Sequence, residues 1–251
     1  MTDYPTWKNP PILEATLDIR ASLPASLGIA QLEDFSEGLE DRFPIKLPMK
    51  TVQFGFEEHA GEPLAAQVPV SDTHGFRFQS DDGQKVVQVH RAGFTFSRVG
   101  NYDTWTNFSQ EAHELWQRYL SVAEPETVQR LGLRYINRLP IPLDDQPVDF
   151  KDYIRTTPEI APEVPQELLA FSMRLVIPST DRTSLATLIQ VMEPPVPGSG
   201  ILPLIFDIDA FKQEAFEPRS ETIWEAFESL REFKNQIFYK SITDKTKRLF
   251  V

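Results

Sequence analysis

Two segments far apart in the chain alternate apolar and charged residues with a period of two. That alternation restricts the chain to a sheet with one buried face and one wetted or paired face. Between Ile12 and Arg20, Leu13, Ala15, Leu17 and Ile19 point one way and Glu14, Thr16, Asp18 and Arg20 the other. In Arg130-Leu-Gly-Leu-Arg-Tyr-Ile-Asn-Arg138, Leu131, Leu133 and Tyr135 share one face, and Arg130, Arg134 and Arg138 the opposite one. The same sorting places Arg174 opposite Met173 and Leu175, and Asp207 and Asp209 opposite Phe206 and Ile208. Charges in mid-strand need water or partners.

The remaining elements follow from periodicity and breakers. Ile29, Leu32, Phe35, Leu39 and Phe43 recur every three or four residues and predict a helix ended by Pro44, with an acidic opposite face. Strands are expected at 51–57, 75–79, 85–91 and 93–99, forming an antiparallel meander with turns at Ser80–Gly83 and Arg91–Gly93. A second helix runs from about Thr104 to Val122 along Trp105, Phe108, Ala112, Leu115, Trp116 and Tyr119. A Pro-rich, acidic connection carrying Asp144 and Asp145 spans 140–166, with one helical turn at Phe150 to Ile154. Strands are then expected at 170–177, 184–192 and 202–208. A last helix begins near Ser220 and continues through Ile223, Phe227, Leu230, Lys234 and Ile237.

These elements predict an α+β fold: a curved, mainly antiparallel sheet with about three long helices on one face. The chain reads as a single domain, 1–251. Strand, strand, helix orders recur on either side of the Pro-rich stretch, so sub-lobes 1–140 and 166–251 sharing one sheet are a second arrangement.

Composition narrows the function. The 251 residues include no cysteine, which removes disulfides, thiolate metal sites and a cysteine nucleophile and points to a reducing, cytoplasmic compartment. No leader pattern or membrane-spanning run is present. A net charge of −12 argues against general nucleic-acid binding and against anionic membranes. His59, His74, His90 and His113 lack metal-ligand spacing, and serine-hydrolase, P-loop and dinucleotide-binding motifs are missing. Phe76, Phe78, Phe94, Phe96, Trp105, Phe108 and Trp116 read as core packing rather than a pocket lining.

The charged parity set carries the functional reading. Arg20, Arg130, Arg134, Arg138 and Arg174 could clamp an anion, and Glu14, Asp18, Asp207 and Asp209 could hold a divalent cation, the one cofactor the residues suggest. The competing reading is a solvated face of cross-strand ion pairs. Asp207-Ile-Asp209 lies too soon after Gly198-Ser199 for a nucleotidyltransferase site.

Asn9-Pro-Pro-Ile-Leu-Glu-Ala15, Asp18-Ile-Arg20, Gly132-Leu-Arg-Tyr-Ile-Asn137, Asp207-Ile-Asp209 and Phe238-Tyr-Lys-Ser-Ile-Thr243 together resemble a sporadically distributed family of prokaryotic proteins of about this length. The resemblance implies a full-length unit of bacterial or archaeal type and brings no activity, cofactor or catalytic residue with it. The expected function is a cytoplasmic binding or interaction module, with a protein partner or self-association, using the charged face or a cleft beside it. The rival is a metal-dependent enzyme acting on a phosphorylated or nucleotide ligand.

Overall fold

Nine strands form one antiparallel sheet in the computed structural model, which describes residues 4–5, 7–53, 70–143 and 148–251. In chain order they are β1 (Ile12–Ser22), β2 (Ile45–Gln53), β3 (Val70–Gln79), β4 (Lys85–His90), β5 (Gly93–Val99), β6 (Thr127–Pro142), β7 (Ser172–Pro178), β8 (Leu185–Met192) and β9 (Ile201–Lys212). Their spatial order is β2-β3-β4-β5-β1-β6-β9-β8-β7, so the sheet is open, with β2 and β7 at its edges. Two long helices, α1 (Trp105–Ala123) and α2 (Thr222–Ser241), follow β5 and β9, and a short α3 (Asp244–Lys247) comes after α2. The fold is α+β with an antiparallel sheet.

The two alternating segments become β1 and β6, adjacent at the centre of the sheet, with Leu17 opposite Leu133 and Thr16 opposite Arg134. Leu17, Ile19, Leu131, Leu133, Phe206 and Ile208 are fully buried. They belong to one core cluster with Phe108, Leu115 and Tyr119 of α1 and Phe227 and Leu230 of α2. Each large side chain contributes about 1.5–3 kcal/mol by leaving water. Helix α2 lies against β6 and β9, and α1 against β5. Thr104 Oγ1 accepts the Asn107 amide as the N-cap of α1, whereas Glu221 leads into α2 without a side-chain cap and Ser220 Oγ accepts the Thr222 amide from the turn before it.

Leu13 departs from the alternation. A bulge sets two residues of β1 against one of β6 between Ile12 and Glu14, which reverses parity there and leaves Leu13 41% exposed. The reversal after β4 needs its glycine: Gly93 has φ +134°, and a Cβ there would lie 2.0 Å from the Ile19 carbonyl oxygen.

The first predicted helix is a 3₁₀ stretch, Ile29–Ser36, that buries Leu32 and Phe35 at a spacing of three. The stretch ends where Glu37 turns extended and Gly38 takes φ +72°, and the Arg118 guanidinium of α1 donates to the carbonyls left there, those of Phe35 and Glu37, and to that of Asp34 alongside the Glu37 amide. The turn predicted at 150–154 is a 3₁₀ stretch over Phe150–Asp152. Strand β2 begins earlier than expected. Residues 54–57 of that predicted strand, with His59, Asp144 and Asp145, lie outside the described residues.

Candidate functional site

The pleat turns Asp18, Arg130, Arg134, Asp207 and Asp209 to the side of the sheet away from the helices, where register brings them close. Asp18 lies opposite Gly132, and Arg134 opposite Asp209. Arg130 spans the strands, donating through Nη1 to Asp18 Oδ1 at 3.0 Å and through Nη2 to Asp209 Oδ2 at 2.9 Å, with its guanidinium 4.6 Å from the Phe211 ring centre. It crosses over Gly132, where a Cβ would come within 2.6 Å of Nη1. Arg134 grips buried Asp207 with two bonds of 2.9 and 2.6 Å. Arg20 and Thr95 donate to Asp18, Arg138 donates to Glu193, and Thr16 donates to Glu14. Arg174 sits on the same face, aligned with Asp207 through Ile189.

All four acids suggested as metal ligands already accept a hydrogen bond, three of them from arginine. Among the described residues no group of three or more histidines and carboxylates could hold a metal ion. The face is therefore a lattice of cross-strand ion pairs. Burial pushes the Asp209 carboxyl upward, against the pull of Arg130 and Arg134, and the Asp207 hydrogen bond raises Arg134. The pairs of Arg20 with Asp18 and Arg138 with Glu193, whose arginines are exposed, contribute at most about 1 kcal/mol each. Gly132→Ala is expected to displace the flexible end of Arg130 and cost about 1 kcal/mol, read as a lower urea midpoint.

The helix side carries a different arrangement. A cavity of about 280 Å³ lies between α2, β6, the N-terminal segment and the start of α1. On α2, Lys234 falls on the apolar stripe that buries Ile223, Phe227 and Leu230, so helical geometry carries its amine into the interior. Lys234 is 8% exposed, lines the cavity, and places Nζ 3.6 Å from the centre of the Tyr135 ring. It makes no ion pair or hydrogen bond with any described residue. Burial, helped by neighbouring Arg231, pushes its pKa down to about 7.

The groups around that amine come from every part of the chain. The Tyr135 hydroxyl donates to Tyr102 at 2.8 Å. Burial raises both phenols, Tyr102 to about 12, so both keep their protons at neutral pH. Buried Asn137 donates Nδ2 to the Phe206 carbonyl at 3.0 Å, and its Oδ1 receives no hydrogen bond from the described residues. Arg231 is held by Glu228 at 3.2 Å and stacks over Trp105. Trp105 and Thr106 open α1, where first-turn amides lack helical acceptors and the helix dipole is positive. The N-terminal segment covers the opposite side: Tyr4 stacks on Tyr239 at 4.5 Å, Trp7 on Tyr239 at 5.0 Å, and the Tyr239 hydroxyl donates to the Pro5 carbonyl.

Periodicity alone marks Lys234 only as one position of a helix stripe. The signal that separates it is a cation in an otherwise apolar row. Of the aromatic run read as core, Trp105 lines this cavity and the others are packed in the interior. A larger groove of about 600 Å³ near the end of α1 includes Arg118, but that guanidinium is committed to the 3₁₀ carbonyls.

No family model matches the chain, and no curated protein matches it. Among the described residues no helix is long and apolar enough to cross a membrane.

Proposed function

We propose that the protein is a binding module that captures a small organic anion in the cavity between α2 and the N-terminal segment. The observation that carries this reading is the Lys234 amine, buried at the cavity wall without a protein counter-ion. A buried charge lacking a partner costs several kcal/mol, and an anionic ligand would offset that cost. Arg231 and the start of α1 add positive character to a chain whose net charge is −12. Tyr102, Trp105 and Tyr135 supply apolar walls, and the volume suits a small molecule rather than a peptide.

Segments distant in the chain meet at this cavity: Pro10, Pro11 and Ile12, Tyr135 and Asn137, and Phe238 and Tyr239 all line it, while Asp18, Asp207 and Asp209 lie in the ion-pair face on the other side of the sheet. The reading treats the protein as a cytoplasmic single domain, 1–251. In its support, β1 to α1 and β6 to α2 each run strand, 3₁₀ stretch, strands, helix within one continuous sheet, a repeat that divides the chain at β6 rather than at the Pro-rich stretch. A metal-dependent reaction has no comparable support on the open face.

Calorimetry and thermal shift with a panel of small carboxylates and phosphates test the proposal. A ligand at 100 times its Kd should add about 2.7 kcal/mol to stability. Binding should draw a proton onto Lys234 above about pH 7, seen as a buffer-dependent heat, and should vanish in Lys234→Met. Equal binding by that variant would end the proposal.

A further inference from the structure

We infer that the ligand carries a carbonyl group as well as its anion, and that Lys234 holds it covalently as an imine. The inference rests on the anion-binding reading and extends it to a substrate class: small oxo-acids, that is, carboxylates or phosphates bearing an aldehyde or ketone a few bonds away.

Three observations lead there. First, Lys46, Lys85, Lys151, Lys212, Lys245 and Lys247 each pair with a carboxylate, which keeps the amine charged and unreactive; of the four lysines with no acidic partner among the described residues, Lys8, Lys50 and Lys240 are exposed and Lys234 is buried. Second, the cavity holds a separate cation for the anion: Glu228 takes only Nη1 of Arg231, and its Nε and Nη2 find no acceptor among the described residues. Arg231 sits three residues before Lys234 on α2, so the two side chains rise from one helix face with about 5–6 Å between their Cβ atoms. An oxo-acid can place its anion on Arg231 and its carbonyl carbon at Nζ. Third, the walls are aromatic and the amine is almost wholly withdrawn from solvent, which shields an imine from hydrolysis.

The chemistry balances without any co-reactant. The neutral Nζ lone pair attacks the carbonyl carbon, the C=O π pair moves to oxygen, and a proton passes from nitrogen to that oxygen to give a carbinolamine. The nitrogen lone pair then forms C=N as the hydroxyl leaves with one proton as water. The Tyr135–Tyr102 hydroxyl pair lines the same cavity and can relay these protons. With its pKa near 7, about half of the amine is neutral at pH 7. The charged and titratable groups around it are Arg231, Glu228 and Tyr239 on α2, Tyr135 on β6, Tyr102 and Asp103 before α1, and Tyr4 of the N-terminal segment.

The test is reductive trapping of the intact protein with pyruvate, glyoxylate or pyridoxal 5′-phosphate and cyanoborohydride, followed by intact-mass and peptide mapping. Acetate, lactate and inorganic phosphate serve as anions without a carbonyl. The expected result is a single adduct on Lys234, formed at least tenfold faster than on any other lysine, absent from Lys234→Arg and Lys234→Met, and slowed by Arg231→Met. Its rate should climb from about pH 6 to about pH 8 and then level off. Adducts spread evenly over surface lysines, or equal labelling of the variants, would overturn the inference. Binding of the plain anions with no Lys234 adduct from any probe would overturn the imine and leave the anion site standing. Failure of both plain anions and oxo-acids to bind or react would remove both.

Discussion

Lys234→Met is expected to stabilise the protein at neutral and acidic pH while abolishing ligand binding. The folded protein holds the Lys234 amine at a pKa of about 7, below the 10.5 of a free lysine, because burial disfavours the charged form. Between those two values the unfolded chain carries a proton that the folded chain has lost, so stability rises with pH across that window. The penalty is present in full below about pH 7 and gone above about pH 10.5. Methionine fills similar volume with no charge to desolvate, though it forfeits the contact with the face of Tyr135. The net gain should be on the order of 2 kcal/mol at pH 6, fading to nothing near pH 10. Urea unfolding of both proteins at the two pH values measures it. A variant clearly less stable than wild type at pH 6 would mean that the amine serves the fold.

Arg130→Met should have the opposite effect, a loss of about 2 kcal/mol at pH 7. Arg130 joins Asp18 to Asp209, and its removal leaves two partly buried carboxylates beside each other without that cation. The Asp209 carboxyl, which burial already pushes upward, would lose the pull of Arg130 and rise further in the folded state. The deficit is therefore full at neutral pH and shrinks as pH falls to about 4 and Asp209 takes up its proton. Adding Asp18→Asn and Asp209→Asn to the variant should restore most of the loss, since the repelling charges go with the lost cation. Ligand binding should be untouched, because this cluster and the cavity lie on opposite sides of the sheet. Stability within about 0.5 kcal/mol of wild type would show that water satisfies these acids unaided.

Much of the scaffold could be read from the order of residues. The period of two in β1 and β6 and the stripes of α1 and α2 are local properties, set by backbone geometry within a few residues. The same locality explains the misreadings. The stripe from Ile29 to Phe43 is helical in period, yet it breaks at Glu37 and Gly38, where Arg118, some eighty residues away, satisfies the freed carbonyls of Phe35 and Glu37. Leu13 has the parity of a core residue, but the bulge that exposes it exists only in the pairing with β6. Parity likewise placed the arginines and acids on one face without revealing that they would neutralise one another. That depended on register, which sets Asp18 beside the gap at Gly132 and lets Arg130 cross it.

Lys234 shows the division most sharply. Its place in a row with Phe227 and Leu230 already directs its side chain inward, and the lack of cysteine had already excluded thiol chemistry. What surrounds the amine was settled only by folding, because Tyr135 comes from the central strand, Tyr102 and Trp105 from the start of another helix, and Trp7 from the N-terminal segment. Hydrophobic periodicity specifies which side of an element is buried. Whether a buried charge there meets a partner, or an empty space shaped for one, depends on contacts among residues more than two hundred positions apart.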